Sequence, residues 1–341
     1  MDTSHKYAGL DTFKIICALV VVGVHTYPLM VINNELNFAV FHILARVAVP
    51  FFFMVTGYFI IPKMLNQKSN TDKTALPVSF LKKTSLIYVG ASLLYLPVSI
   101  YAGYFSGNII ASILRNIIFD GMFYHLWYLP ASIIGIMLIY LLSFKFSLRT
   151  ILGISVLLYV IGLFGDSYYG LVSGVPVLET LYSAGFQIFS YTRNGIFLAP
   201  VFLAMGGFIA GSQQNRNWKI NITGFIMSML IMLAEGILLF INGIPRHDSM
   251  YIFLLPCMYY LFCTLLQWHG HPRPLLREIS LYIYIFHPII TIALRGGVKF
   301  AGLNNLLVSN NMIHFIIVCL LSILLSTAII KTYKRIKYNR L

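Results

Sequence analysis

Two ionisable residues lie inside the first apolar segment of the chain, KIICALVVVGVHTYP, at positions 14–28. Lys14 opens this segment and His25 follows eleven residues later. Eleven residues of α-helix make about three full turns, so both side chains point the same way, roughly 16 Å apart along the axis. Ionisable groups inside a membrane are costly and usually face a bundle interior or a wet cavity. The spacing therefore predicts a functional helix face.

Proton transfer beside a bound anion is the chemistry that fits this pair. A neutral imidazole can take a proton from an attacking hydroxyl or amine, and an unperturbed histidine has a pKa near 6.5. A cation at Lys14 can hold an anionic donor, such as a phosphate or a thioester oxyanion. In the plainer interpretation, Lys14 extends to the membrane interface and His25 hydrogen-bonds to a neighbouring helix.

Other charges also interrupt apolar segments. Arg46, in ARVAVPFFFMVTGYF, either bonds to carbonyls exposed at a helix break or helps to bind an anion. Glu235, in IMLAEGILLF, is a carboxylate in the middle of an apolar segment, so we expect it to be paired, protonated or functional. Neither side chain should face lipid. His287, in YIYIFHPII, is expected to make a structural hydrogen bond.

Short polar clusters lie at the ends of other apolar segments, in FYHLWYLPA, TRNGIF and IPRHDSMY. They are candidates for substrate binding, with an aromatic membrane belt and ordinary loop polarity as the alternatives. No P-loop, dinucleotide motif, zinc-protease motif or nucleophile elbow occurs, and no metal site is predicted. The candidate residues in these clusters are His125, Trp127, Arg193, Asn194, Arg246, His247, Asp248 and Ser249, and Glu235 is a further candidate for substrate binding.

Membrane helices are the elements that must position these residues. Of 341 residues, 59% are hydrophobic and 10% charged, and the mean hydropathy is +0.82. Repeated apolar segments near 20 residues predict an all-α polytopic protein in a lipid bilayer, forming one membrane domain over 1–341 without a second soluble domain. The predicted spans are 12–31, 38–61, 84–104, 124–142, 149–165, 193–212, 220–241, 249–267, 279–295 and 312–331.

The basic residues predict the orientation. With both termini in the cytoplasm, 17 basic residues fall in inside segments and 5 in outside segments. This bias follows the positive-inside rule and explains the net charge of +14 without a nucleic-acid partner. The inside residues are Lys6, Lys63, Lys68, Lys73, Lys82, Lys83, Lys145, Arg149, Arg216, Lys219, Arg273, Arg277, Lys331, Lys334, Arg335, Lys337 and Arg340, and the outside ones are Arg115, Arg193, Arg246, Arg295 and Lys299.

Several of these motifs resemble the acyltransferase-3 superfamily. Its first helix carries an arginine and a histidine at the spacing of Lys14 and His25 in LDTFKIICALVVVGVHT, and its second helix resembles RVAVPFFFMVTGYF, with Thr56 where serine is common. More narrowly, YHLWYLPA, GDSYYGL, TRNGIFLAPVFLAMG and IPRHDSMYIFLLP resemble the membrane portion of the membrane-bound serine racemases of vancomycin-resistance clusters.

The superfamily resemblance implies a bacterial cell-membrane protein that moves an acyl group, commonly acetyl, from a cytoplasmic coenzyme A thioester to an outer-face acceptor. The racemase resemblance implies instead L-serine uptake that feeds a racemase, and a membrane anchor without catalysis is the third hypothesis. Such racemases continue into a cytoplasmic domain that binds pyridoxal phosphate, and this chain is expected to hold none itself. Lys14 lacks the planar fork of arginine, so donor binding is expected to be altered.

Overall fold

The structure is a computed structural model that describes residues 8–66, 75–105, 108–212, 217–300 and 310–338. All regular structure in these residues is helical, as the sequence predicts. The α-helices are α1 Ala8–Thr26, α2 Asn34–Asn37, α3 Ala48–Asn66, α4 Ala75–Tyr101, α5 Ile109–Arg115, α6 Tyr128–Leu142, α7 Leu148–Phe164, α8 Pro176–Ile188, α9 Ala199–Gly211, α10 Trp218–Ile241, α11 Leu254–Gln267, α12 Pro274–Phe300 and α13 Asn311–Tyr338.

Membrane-spanning capacity is clear from length and composition. Within the described residues, six helical stretches are long and apolar enough to cross a bilayer: α1, Asn34–Leu65, α4, α10, α12 and α13. The helices α6, α7, α9 and α11 are apolar but shorter. A polytopic helical membrane protein is therefore confirmed, whereas the count of ten spans and the cytoplasmic termini stay predictions. Lys6, Lys68, Lys73, Arg216 and Arg340, which enter the charge count, lie outside the described residues.

The first predicted span, 12–31, is wrong at its end. Helix α1 stops at Thr26, and a 3-10 helix Pro28–Val31 follows. Tyr27 between them has a positive φ of 52°. A residue before proline is disfavoured in the α conformation, and Pro28 has no N–H to continue the helix. His25 therefore lies in the last turn of α1 and not in the middle of a longer helix.

The chain divides into two compact units, Met1–Ala48 with Leu261–Leu341 (unit 1) and Val49–Tyr260 (unit 2). In unit 1, α1 packs along α12, and α12 packs along α13. Ala18 and Val22 of α1 share one buried apolar cluster with Ile279 and Ile283 of α12 and with Val318 of α13. This cluster fills the interior of the three-helix packing and fixes which face of α1 is turned inward.

Unit 2 is organised around α9, which packs against α6 and α7. Its contact with α3 is close enough to require glycine. A Cβ on Gly57 would collide with the carbonyl oxygen of Leu203, and a Cβ on Gly206 would collide with that of Met54. Small residues let apolar helices approach each other closely where lipid offers no hydrophobic drive for association. The seam between α3 and α9 thus supports the loops at the ends of these helices.

Loop contacts agree with the alternation of the predicted spans. In unit 1, the N–H of Gly9 donates to the carbonyl of Trp268 at one end, and the side chain of Asn311 donates to the carbonyl of Tyr27 at the other. In unit 2, the segments after α5, after α7 and after α10 meet at one end. In each of these contacts, the segments that meet are ones that the count of basic residues assigns to the same side of the membrane.

Candidate functional site

The inward face of α1 carries both Lys14 and His25. Asp11, Lys14, Ala18 and Val22 are buried at helical spacing, and His25 continues this face into the last turn. This face packs against α12, and we call the contact the α1–α12 seam. The interpretation of the eleven-residue spacing is thus supported at the level of helix geometry. The middle of the seam is packed core, because Ala18 and Val22 are 1% and 0% exposed.

Lys14 has an acidic partner and basic neighbours at its end of the seam. Its ammonium lies 3.8 Å from Oδ1 of Asp11, and Oδ2 of Asp11 accepts a hydrogen bond of 3.1 Å from the N–H of Arg273. The charge of Arg277, in the first turn of α12, also acts on Lys14. The guanidinium of Arg273 donates to Oγ1 of Thr12 at 3.4 Å. Three cations and one carboxylate therefore lie at this end, which gives it an excess of positive charge that can attract an anion.

His25 contacts a second histidine at the other end of the seam. The imidazoles of His25 and His287 are stacked, with ring centroids 5.4 Å apart and an angle of 14° between the ring planes. His287 is fully buried, whereas His25 is half-buried. The His25 ring is thus supported on one side by α12 and retains some access on the other, as a group that exchanges protons with a substrate requires.

His287 is held by its own helix beside a proline. Its Nδ1 lies 2.9 Å from the carbonyl oxygen of Ile283, and a carbonyl can only accept, so Nδ1 carries the proton. Pro288 follows inside α12 and removes the N–H that would otherwise bond to the carbonyl of Tyr284. The expected structural hydrogen bond of His287 is confirmed, and it fixes the ring on which His25 stacks.

Arg46 lies where the second helical stretch is irregular. A π-helical segment Phe38–Ile43 and a 3-10 segment Leu44–Val47 precede α3. The Nε of Arg46 donates to the carbonyl of His42 at 3.2 Å. This contact matches the interpretation of Arg46 as an arginine bonded to a carbonyl at a helix irregularity. Its part in donor binding stays a prediction.

A basic and aromatic cluster lies at the loop end of unit 2, and we call it the Tyr191 cluster. The guanidinium carbon of Arg193 is 4.6 Å from the ring centroid of Tyr191 and 5.2 Å from that of Trp127. That of Arg246 is 6.0 Å from Tyr191, and the imidazole of His247 contacts the same ring edge-on at 4.7 Å. Four predicted candidates are thereby brought together: Arg193, Arg246 and His247 contact Tyr191, and Trp127 contacts Arg193.

Asp166 fastens the loop that carries His247. Its Oδ1 accepts hydrogen bonds from the N–H groups of Ser249 at 2.6 Å and Met250 at 2.9 Å. Its backbone carbonyl accepts from the N–H of Arg246. Asp166 is completely buried, so this carboxylate is the structural link between the segment after α7 and the segment after α10.

Ser249, His247 and Asp166 do not form a nucleophilic triad. Oγ of Ser249 lies 2.7 Å from Nδ1 of His247, and Oδ2 of Asp166 lies 3.5 Å from the same nitrogen. In a serine–histidine–aspartate relay, the serine and the aspartate engage opposite ring nitrogens. Asp248 adds a second carboxylate, 3.6 Å from that Nδ1. The arrangement suits binding of a charged group better than activation of Ser249.

Asp120 fastens the segment next to Tyr191. Its carboxylate accepts from the hydroxyl of Ser190 at 2.6 Å and from the N–H of Ser190 at 3.1 and 3.2 Å. Arg115 lies 3.5 Å from the same carboxylate. Burial raises the pKa of the Asp120 carboxyl, although the bonds from Ser190 and the charges of Arg115 and Arg193 act in the opposite direction. Asp120 thus positions the backbone that bears Tyr191.

Other candidates serve the architecture of unit 2. The side chain of Asn194 donates to the carbonyl of Tyr191 and accepts from the N–H groups of Ile196 and Phe197. His125 is 2% exposed, and its ring lies against those of Tyr95, Phe123 and Tyr124. These positions shape the loops and leave little surface for a substrate.

Glu235 is fully engaged with protein groups. Its carboxylate accepts from the hydroxyl of Tyr168 at 2.7 Å and from the N–H groups of Ile252 and Phe253 at 2.6 and 3.0 Å. The two N–H groups immediately precede α11, where a helix start leaves backbone donors without partners. Of the three alternatives for Glu235, paired, protonated or functional, the structure shows a carboxylate that accepts hydrogen bonds from neutral groups. A functional role of Glu235 stays a prediction.

Sequence reasoning missed Asp11, Asp120 and the anchoring role of Asp166. One signal was present for Asp11, which lies three residues before Lys14 and hence on the same helix face. The chain has only ten acidic residues, so each one near a candidate cation carries information. Nothing in the sequence predicts that Tyr191 lies between two arginines, because three separate loops build that contact.

Comparison with known proteins identifies the family of the chain. A family model described as an acyltransferase domain, of the acyltransferase-3 type, matches residues 7–331. The chain belongs to this acyltransferase-3 family. No solved structure matches the chain.

The relatives carry racemase names. An amino-acid racemase of Enterococcus faecalis is 42% identical over 332 residues, which cover 96% of this chain and 46% of the relative. A serine/alanine racemase of Enterococcus gallinarum is 34% identical over 322 residues, covering 93% of this chain and 45% of the relative. The chain thus spans about half the length of the relatives it matches. The resemblances to the acyltransferase-3 superfamily and to serine racemases are both confirmed.

Proposed function

We propose that this protein transfers an acyl group from a cytoplasmic acyl-CoA, with acetyl-CoA as the expected donor, to an acceptor at the outer face of a bacterial cell membrane. The observation that carries this proposal is the shared orientation of Lys14 and His25 on the α1–α12 seam. One end of the seam has an excess of positive charge, and the other has a supported, half-buried imidazole. Membership of an acyltransferase family supports the reaction type.

Each end of the seam has a separate role in this reaction. Lys14, with Arg273 and Arg277, binds the phosphates of the donor, which compete with Asp11 for the ammonium. At the other end, the acceptor hydroxyl or amine loses its proton to His25 as its heteroatom attacks the thioester carbonyl carbon. The carbon–sulfur bond breaks, and coenzyme A leaves as the thiolate or thiol. The long arm of the donor runs beside the packed core at Ala18 and Val22, not through it.

Binding measurements on the purified protein test the donor assignment. We expect saturable binding of acetyl-CoA, measured by calorimetry in detergent, and weaker binding by Lys14→Ala. His42→Gln is the control, because His42 stacks on Tyr27 and Phe38, beyond the end of α1 that is opposite to Lys14. Its acetyl-CoA binding should equal that of the wild type. Acetyl-CoA binding that is absent from the wild type, or equal in wild type and Lys14→Ala, contradicts the donor site.

A second function, passage of an amino acid such as L-serine, is favoured by the Tyr191 cluster. Arg193 and Arg246 offer positive charge, and Asp248 offers a half-buried carboxylate beside His247. A zwitterionic amino acid presents the complementary pair of charges. The names of the relatives point to amino acids as substrates of those proteins, and a racemase domain, fused or associated, would be the partner that consumes the transported serine.

The two functions make different demands on the protein. If the protein is a transporter, it should bind L-serine, and Arg193→Ala should bind it more weakly. The wild type should then show no acyl transfer. Acyl transfer requires turnover that depends on His25 and remains when L-serine is absent. A membrane anchor requires neither, so both variants would leave every activity of an associated racemase unchanged. Parallel assays of acetyl-CoA turnover and L-serine uptake in proteoliposomes separate all three.

A further inference from the structure

Helix α8 has three distinct sides. Tyr182 and Phe186 face the protein, where they contact the ring of Tyr169 at centroid distances of 6.3 and 5.8 Å. A polar side carries Glu179, Thr180, Ser183 and Gln187, which are all exposed. A third side is apolar and also exposed, and its members are Val177 at 70%, Leu178 at 36%, Leu181 at 63% and Ile188 at 59% exposure.

These sides follow from helical periodicity. Positions 177, 181 and 188 lie within about 40° of one another at 100° per residue, whereas position 183 lies on the other side of the helix. At 13 residues, α8 is too short to cross a bilayer. A short helix with an apolar and a polar side fits an interface between hydrocarbon and water.

The anchoring of α8 gives its depth. The hydroxyl of Tyr182 donates to the carbonyl of Ile161 at 2.7 Å. Ile161 lies three residues before the end of α7 at Phe164, about 4.5 Å along the axis at 1.5 Å per residue. The last carbonyls of a helix lack partners within it, so Tyr182 satisfies one of them. Helix α8 therefore packs just below the loop end of α7, one turn into the apolar part of that helix.

The surface beside this anchor is apolar as well. Ile161 lies in the apolar helix α7 and is 41% exposed. Leu157, one turn further from the loops, is also exposed. The exposed apolar side of α8 thus begins where the exposed apolar surface of α7 ends. In a membrane protein such surface is covered by lipid, and no cation on α8 calls for an anionic lipid, because Glu179 is its only charged residue.

We propose that α8 lies in the outer leaflet as an interfacial helix, with Val177, Leu178, Leu181 and Ile188 among lipid acyl chains and its polar side in water. The partner of this surface is the hydrocarbon of the bilayer and not a headgroup of particular charge. The helix also bears on the Tyr191 cluster, because the guanidinium of Arg246 lies 3.6 Å from the ring centroid of Phe186. The membrane thereby supports one side of that cluster.

Fluorescence quenching in lipid nanodiscs tests the proposal. Leu181→Cys and Ser183→Cys place the same fluorophore on two exposed sides of α8, and the parent protein, whose four native cysteines are buried, gives the background labelling. In phosphatidylcholine nanodiscs, a nitroxide carried on the upper acyl chain should quench the label at 181 several-fold more than the label at 183. Iodide in the buffer should show the reverse order. Replacing part of the lipid by phosphatidylglycerol should leave the quenching by the acyl-chain nitroxide unchanged.

Other outcomes overturn the proposal. Equal iodide quenching at both positions would show that α8 is a solvent-exposed segment. If the label at 181 were shielded from both quenchers, and if this shielding were lost when the protein is diluted in detergent and returned to an excess of empty nanodiscs, a second copy of the chain would cover this side. A changed nitroxide quenching in anionic lipid would show that the headgroup charge takes part.

Discussion

The α1–α12 seam and the Tyr191 cluster place ionisable groups in opposite ways. In the seam, Lys14 and His25 are set by the period of one regular helix, and the neighbouring helix supplies a stacked ring at His287. In the Tyr191 cluster, three loops meet, and two carboxylates, the half-buried Asp120 and the buried Asp166, accept hydrogen bonds from backbone N–H groups.

This difference predicts that the seam residues act in the reaction and that the carboxylates of the cluster act in stability. Lys14 and His25 lie on one regular helix, so we expect their replacement to impair the reaction before it impairs stability. A carboxylate of the cluster holds loops together, so its loss should reach stability first. Substitutions in the two regions should therefore produce different kinds of defect, which makes the comparison testable.

The largest effect is expected at His25. Its replacement by glutamine keeps a hydrogen-bonding side chain but removes the base, and general-base catalysis is typically worth about 10²–10⁴-fold in rate. We expect acyl transfer by His25→Gln and His25→Ala to fall by that factor in kcat, while acetyl-CoA binding and thermal stability in detergent stay close to wild type. Full transfer by the glutamine variant would remove His25 from the mechanism.

His287 should have the next largest effect, as a positioning residue that acts through His25. His287→Ala removes the stacked ring, and a misplacement of about 1 Å can cost up to about 10²-fold. We expect kcat to fall about 10-fold or more with the KM for acetyl-CoA unchanged. His287→Phe retains a flat ring and should recover most of kcat. An equal loss in the phenylalanine variant would mean that the Nδ1 bond to Ile283, not the stacking, is what matters.

Lys14 and Asp11 should shift donor affinity in opposite directions. The Lys14–Asp11 pair is buried, so the loss of one of its charges should change affinity by more than the about 0.2–1 kcal/mol, or about 1.4- to 5-fold, of an exposed ion pair. Lys14→Ala should weaken acetyl-CoA binding, Lys14→Arg should preserve it, and Asp11→Asn should strengthen it by removing the competing carboxylate. Titration calorimetry at low ionic strength measures all three. If Asp11→Asn binds more weakly, Asp11 acts mainly by holding the N–H of Arg273.

The sequence predicts these two regions unequally for a physical reason. Helical class, apolar segments and the common face of Lys14 and His25 depend on local composition and on a fixed period, which a single sequence contains. The end of the first span was predicted wrongly, at residue 31, although Pro28 is a stop signal that a single sequence contains. The stacking of His25 on His287 joins positions 262 residues apart, and no local pattern encodes that pairing.

The Tyr191 cluster was predicted only as separate polar motifs. Trp127, Arg193 and His247 were selected because polar residues at helix ends are often functional, and the structure does bring them together. Asn194 and His125 were selected by the same rule, yet their side chains serve the loops and the aromatic core. Composition cannot distinguish these cases, because the difference lies in which backbone groups each loop leaves without partners.

The smallest effect is expected at Asp120, and it concerns pH. Burial raises the pKa of this carboxyl in the folded protein, whereas an unfolded aspartate titrates near 3.9. Between those two values the folded state binds more protons than the unfolded state, so the contribution of Asp120 to stability is present at low pH and is lost as the pH rises through the folded pKa.

We expect the thermal denaturation temperature of Asp120→Asn in detergent to vary less than that of wild type from pH 4 upward, by a few degrees at most for a change of about 1 kcal/mol in a chain of this size. The change of denaturation temperature with pH reports the protonation of Asp120 separately from the lost bond to Ser190. An amide at this position cannot titrate, but it can still accept from the Ser190 N–H. His25→Gln is the comparison variant, since a seam residue should leave this acidic slope unaltered. A slope in Asp120→Asn equal to that of wild type would show that another carboxylate titrates in this range, and Asp166 of the same loop end would be the next residue to replace.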